Sequence, residues 1–157
     1  MSSGSERRRR VVIGTGNAWQ GDDGAGLAVA RRLRERAPDD VDVVEVEGEP
    51  VSLVDAWADA EEVFLVDAVS SGTAPGTVHR VDATDSPLPA ELSTASTHTF
   101  GVGEAVELAR ALDRLPGRLV VYGIEAGDLS AGGGLSQEVA AAVDEVVERL
   151  GAELSSA

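Results

Sequence analysis

The residues of this chain best suited to chemistry are three carboxylates and one imidazole. Asp22 and Asp23 stand in GTGNAWQGDDGAG, Asp67 follows VFLV, and His98 lies in STHTF. Carboxylate oxygen and imidazole nitrogen are borderline-to-hard ligands for a divalent first-row ion, and a set of three, Asp23, Asp67 and His98, leaves coordination positions open. With no thiolate, such a set need not hold a metal permanently and suits an ion that a partner already carries. Each residue also has a structural reading. Asp at a junction of loop and helix is a preferred N-cap, stabilised by the helix dipole by about 0.3–1 kcal/mol. Asp67 can be satisfied by nearby amides, and His98 by local backbone. Their shared placement at strand ends favours chemistry for the trio, because loops leaving the carboxyl ends of parallel strands line the ligand crevice of an open α/β sheet.

The elements that must position them follow from the apolar pattern. Residues 11–13 read as the end of a buried strand, the glycine-rich stretch as a loop, and a helix begins at Gly24 with Gly26, Ala30, Leu33 and Ala37 on one face. Arg31, Arg32, Arg34, Glu35 and Arg36 fill its other positions, and Pro38 with two aspartates stops it. Residues 41–46 alternate as a strand, 51–58 form a short helix after Pro50, and 63–66 form a buried strand ending at Asp67. The SSGTAPG connection, residues 70–76, is too short for a helical crossover, so the TVHRV strand after it should be antiparallel to its neighbour. A helix from about Thr99 is expected to carry Gly101, Ala105, Leu108 and Leu112 on one face. Pro116 and Gly117 end it, and residues 119–124 form another buried strand. After the AGDLSAGGG loop, Ser136 is expected to cap a last helix with Val139, Val143, Val146 and Leu150 on one face. The order predicts a three-layer α/β/α sandwich with a mixed, mostly parallel sheet and one antiparallel strand. Residues 1–9 read as a disordered leader, 10–152 as one domain and 153–157 as a tail.

Composition narrows the function. A formal net charge of −15 repels phosphate backbones and anionic lipid, which excludes nucleic acid and membrane surfaces as favoured partners. All the basic residues are arginine, so neither a Schiff-base lysine nor a phosphate-loop lysine is present. The absence of cysteine removes disulfides and a thiol nucleophile and fits a reducing compartment. No apolar run has the length of a signal sequence or membrane span, and a cytoplasmic location is expected. Polar outer helix faces point to a monomer.

Two other chemistries fit less well. Gly14-Thr15-Gly16 after a strand, with Glu47 closing the second strand, opens like a dinucleotide fingerprint. Trp19 occupies the third glycine position, however, and two carboxylates sit where a pyrophosphate would bind. A serine hydrolase would need a nucleophile turn, and G-x-S-x-G is absent. His79, inside TVHRV, reads as a structural residue.

Taken in order, GTGNAWQGDDGAG, VFLVDAVSSGTAPG, STHTFG, VYGIEA and GGGLSQEVAAAV resemble the hydrogenase maturation endopeptidases, which process the large subunit of [NiFe] hydrogenases. The resemblance covers most of the chain. It implies a five-stranded mixed sheet and an enzyme that clips a C-terminal extension from the large-subunit precursor once nickel has been inserted. It also implies that Asp23, Asp67 and His98 contact nickel carried by that substrate, with no permanently bound cofactor, and that Asp22 belongs to the motif without an assigned role. Aspartate at position 23, where the family has either acid, reaches one methylene less than glutamate. A ligating His98 must be neutral, so activity is expected to fall in mild acid. A binding module that recognises the same subunit without cutting it is the competing expectation.

Overall fold

The computed structural model describes residues 9–17, 21–46, 50–84, 102–129 and 134–155. Five runs rich in β-branched residues form one sheet: β1 (Arg10–Thr15), β2 (Val41–Val46), β3 (Glu62–Val69), β4 (Val78–Asp82) and β5 (Arg118–Glu125). Their spatial order is β2-β1-β3-β5-β4, with every pair parallel except β4 against β5. The central strands β1 and β3 are buried along their whole length, as strands covered on both faces must be. The edge strand β4 is half-exposed and presents Arg80 and Asp82 to solvent, charges that discourage edge-to-edge pairing.

Helices cover both faces. On one, Val12, Phe64, Val66, Val120, Tyr122 and Ile124 pack against α1 (Ala25–Arg34) and α4 (Gln137–Ser155). On the other, Val11, Ile13, Val63, Leu65, Leu119 and Val121 pack against α2 (Pro50–Ala56) and α3 (Val102–Ala111). The alternation of side chains along each strand produces the two cores. The expected three-layer α/β/α sandwich with a mostly parallel five-stranded sheet is therefore the observed one. Among the described residues no helix is long and apolar enough to cross a membrane.

Four local expectations change. The helix α1 stops at Arg34, and Ala37 packs against the core from beyond its end. The strand β3 runs past Asp67 to Val69, because β5 continues to pair with it through Val69↔Glu125. In α3 the buried stripe is Val102, Ala105, Val106 and Ala109, rotated from the expected one, so Leu112 is exposed beyond the helix end. The proposed start at Thr99 lies outside the described residues. Finally, residues 153–155 are helical: Leu154 is buried and Glu153 pairs with Arg80, two contacts that carry α4 through the expected tail.

Candidate active site

The crossover through α1 leaves β1 on one face and the one through α2 enters β3 on the other, so the direction of winding reverses between β1 and β3. In an open α/β sheet the ligand crevice opens at the carboxyl end of such a reversal. The acidic motifs both fall there. Close backbone packing fixes the first of them. A Cβ on Gly26 would lie 2.4 Å from the Val66 carbonyl oxygen and 2.5 Å from that of Thr15, so only glycine lets α1 start directly against the ends of β1 and β3. The residues before it close a 3-10 turn, Gly21–Gly24, that carries Asp22 and Asp23, both fully buried.

Neither aspartate caps α1. Its N-cap is Gly24, with no side-chain capping bond. Asp22 instead reaches across to the segment that follows β5. Its Oδ2 accepts the N–H groups of Gly127 (2.8 Å) and Asp128 (2.7 Å) and the Ser136 hydroxyl (2.9 Å), while Oδ1 accepts the Ser136 N–H (2.7 Å). The Asp22 N–H donates in return to the Asp128 carbonyl at 2.7 Å. Burial pushes the Asp22 carboxyl up, but the Ser136, Asp128 and Gly127 amides and the Ser136 hydroxyl outweigh it and hold the group below its ordinary value. Asp22 is a structural clip between two loops. Ser136, expected to cap α4, does accept the Ala140 N–H through its carbonyl, yet its hydroxyl serves Asp22.

Asp67 is 2% exposed, and its Oδ1 accepts the N–H of Ala68 at 2.9 Å. Strand alternation puts its side chain on the face of Val63 and Leu65, the face covered by α3. One step beyond the last β1–β3 pair, Gly14↔Val66, Thr15 stands beside it on the same face. Thr15 is 1% exposed, and its hydroxyl has no hydrogen-bond partner among the described residues. The third member of the expected trio, His98, lies outside the described residues, four positions before α3 begins. Among the described residues no group of three or more His, Asp or Glu side chains is arranged to hold a metal ion.

The other histidine is placed. His79 Nε2 lies 3.3 Å from Glu125 Oε1 and 3.2 Å from the Thr73 hydroxyl. This agrees with its reading as a structural residue, but sequence reasoning missed its partner. Glu125, 2% exposed at the end of β5, is the centre of that cluster. Burial pushes its carboxyl up, and hydrogen bonds from Ser71, Thr73 and His79 more than reverse this, holding it below the usual glutamate value. The signal available in the sequence was an acid directly after the apolar LVVYGI strand.

Comparison with known proteins gives this site its family. The family model for hydrogenase maturation protease matches residues 27–153, which include Asp67 and Glu125 and begin just after the Asp22–Asp23 pair. The hydrogenase 2 maturation protease of Escherichia coli is 27% identical over 150 residues, covering 93% of this chain and 90% of that protein. The solved hydrogenase maturating endopeptidase HybD from E. coli superposes with a TM-score of 0.77 at 26% identity, covering 94% of this chain and 93% of the other. The [NiFe] hydrogenase maturation protease HybD from Thermococcus kodakarensis gives 0.72 at 31% identity, over 90% and 96%. The chain accordingly belongs to the hydrogenase maturation proteases and is an endopeptidase that processes a hydrogenase large subunit.

Proposed function

We propose that this endopeptidase removes the C-terminal extension of an [NiFe] hydrogenase large-subunit precursor after nickel insertion, and that Asp23, Asp67 and His98 engage the nickel carried by that substrate. The observation behind this reading is the burial of Asp23 and Asp67 at the carboxyl end of the sheet's reversal point, one on the turn after β1 and the other within β3. Four buried carboxylates, Asp22, Asp23, Asp67 and Glu125, make this end of the sheet strongly negative. Such a field attracts a divalent cation and repels a bare anionic ligand. Asp22 and Glu125 brace the neighbouring loops, and the resemblance to the family assigns Asp23, Asp67 and His98 to the ion.

In this reading the substrate's nickel anchors the precursor with its scissile bond at the site and polarises the adjoining carbonyl, while a carboxylate takes a proton from the attacking water and returns it to the departing amine of the extension as the C–N bond breaks. The nickel leaves with the processed subunit, so the enzyme needs no resident metal. The test is incubation of the purified protein with nickel-loaded and nickel-free precursor, followed by mass spectrometry of the subunit's C-terminus. Trimming of the loaded form alone is the expected result. Equal trimming of both forms would remove nickel from recognition; His98→Ala should abolish trimming of the loaded form with the fold intact, and wild-type trimming by that variant would remove His98 from the trio.

A further inference from the structure

In the connection that follows β3, residues 70–76, one side chain gathers four hydrogen bonds. Glu125 Oε2 accepts the N–H groups of Ser71 (2.7 Å) and Gly72 (3.2 Å), and Oε1 accepts the hydroxyls of Ser71 (2.6 Å) and Thr73 (2.8 Å). His79 closes the cluster from β4. Main-chain bonds complete the brace: Gly76 N–H to the Glu125 carbonyl (2.8 Å), Glu125 N–H to that of Thr77 (2.9 Å) and Ala126 N–H to that of Val69 (2.8 Å). Two residues on, Gly127 joins this turn to the other acidic loop. A Cβ there would lie 2.9 Å from Pro75 Cβ and 3.5 Å from Asp22 Oδ2.

Glu125 also shares Asp67's face of the sheet. The pairs Asp67↔Gly123 and Val69↔Glu125 put the two acids one diagonal step apart, roughly 8 Å between Cα positions for a rise of ~3.3 Å and a strand spacing of ~4.8 Å. Gly123 adds no side chain between them. The outer residues of the turn, Gly72 to Pro75, are exposed, so the braced turn is surface and not part of the core.

We infer that Glu125 is a positioning residue of the endopeptidase: it fixes the 70–76 turn as a preformed wall against which the extended substrate chain leading to the scissile bond lies. This rests on the peptidase reading of the crevice. Holding the turn in place beforehand removes an ordering cost from substrate binding, so its loss should appear in KM.

The test compares wild type, Glu125→Gln and the double variant Ser71→Ala/Thr73→Val, with amide hydrogen exchange alongside processing kinetics on nickel-loaded precursor. In Glu125→Gln a single neutral oxygen remains, so the Ser71 and Gly72 amides and the Ser71 and Thr73 hydroxyls no longer all meet a charged acceptor and the bonds that survive are weaker. Ser71 and Gly72 exchange should quicken by about tenfold or more with β3 and β5 protection retained, and KM should rise about tenfold with kcat within about threefold. The double variant keeps the backbone bonds and should show a smaller KM rise in the same direction. Unchanged turn protection in Glu125→Gln would overturn the brace, and a loosened turn with wild-type KM would overturn the wall. If Glu125→Gln does not fold, a wild-type KM in the double variant with quickened turn exchange overturns the inference. A wild-type enzyme that trims no precursor would instead refute the peptidase reading, and exchange would still decide whether Glu125 holds the turn.

Discussion

The two ends of the sheet bury acids in opposite ways. At the amino end, Glu62 is 5% exposed and is matched by arginines: Arg10 Nε lies 3.2 Å from Oε1, and an Arg118 nitrogen 2.5 Å from Oε2. Arg10 also donates to the Leu154 carbonyl at 2.8 Å and faces Asp40, while Arg118 lies over the Phe64 ring. At the carboxyl end, the partners of Asp22 and Glu125 are backbone amides, hydroxyls and the His79 ring, without a guanidinium. Both solutions satisfy the hydrogen-bonding demand of a buried carboxylate. Only the first cancels its charge. Amides and hydroxyls stabilise the ion and leave its field in place, which is what a site awaiting a cation-bearing substrate requires.

The sharpest way to break this contrast is to remove charge from the acids assigned to nickel. Asp67→Asn or Asp23→Asn should lower processing by about 10³-fold, equivalent to ~4 kcal/mol of transition-state stabilisation, with melting little changed. Mass-spectrometric timing of subunit trimming measures it, and a variant within a few-fold of wild type would move that acid to the scaffold. Next in size is Asp22→Ala, which removes the shared acceptor of three part-buried N–H groups and a hydroxyl. It should cost about 3 kcal/mol, a fall in Tm of about 6–12 °C for a domain of this length. Glu62→Ala should cost a comparable ~3 kcal/mol at the other end, by leaving the buried Arg10 with the Leu154 carbonyl and the half-exposed Asp40 in place of its buried counter-ion. If Asp22→Ala melts like wild type while trimming fails, Asp22 belongs with the reacting acids.

Acid titration separates the scaffold carboxylates from their replacements. Asp22 and Glu125 are held below the ordinary values of 3.8 and 4.5 in the folded protein. A depressed folded value means the unfolded chain takes up protons first as pH falls, so their contribution is complete above those ordinary values and disappears as pH falls through the folded ones. The Tm of wild type should therefore be insensitive to these two groups near neutrality and drop in acid below about pH 4.5. Glu125→Gln should show a shallower acid drop, measured by thermal melts across pH 3–7, and an identical slope would contradict the assignment. The smallest effect concerns Thr15, whose buried hydroxyl has no partner among the described residues. Thr15→Val keeps the shape and removes the unsatisfied group, so stability should hold or rise by up to about 1 kcal/mol, or ~2–4 °C in calorimetry. A loss of similar size would show that the hydroxyl is bonded in solution.

The readable parts of this site were those governed by local pattern. A buried strand followed by glycines and paired acids placed Asp22 and Asp23 at the start of α1, and VFLV followed by an acid placed Asp67 near the end of β3. What sequence reasoning missed are contacts made at a distance. Asp22 meets donors more than a hundred positions away, and Glu125 meets a turn about fifty positions earlier. Nothing in the spacing of either acid encodes those partners, since they are selected by which loops the sheet order brings side by side. The stripe on α3 failed for a related reason: Leu108 and Leu112 satisfy helical periodicity as well as Val102, Ala105, Val106 and Ala109 do, and only packing on the sheet selects between them.

By itself the sequence determined which runs become strands and helices, the parallel winding with one antiparallel edge, and the acidic character of the loops after β1 and β3, because these depend on periodicity and chain direction. Tertiary structure alone decided the partners of Asp22 and Glu125. The reversal between β1 and β3 brings four buried carboxylates to one end, and the loop after β5 supplies Asp22 with its donors while the 70–76 turn supplies those of Glu125. A carboxylate's function there depends on the donors it meets, and those donors come from segments that only the folded chain makes neighbours.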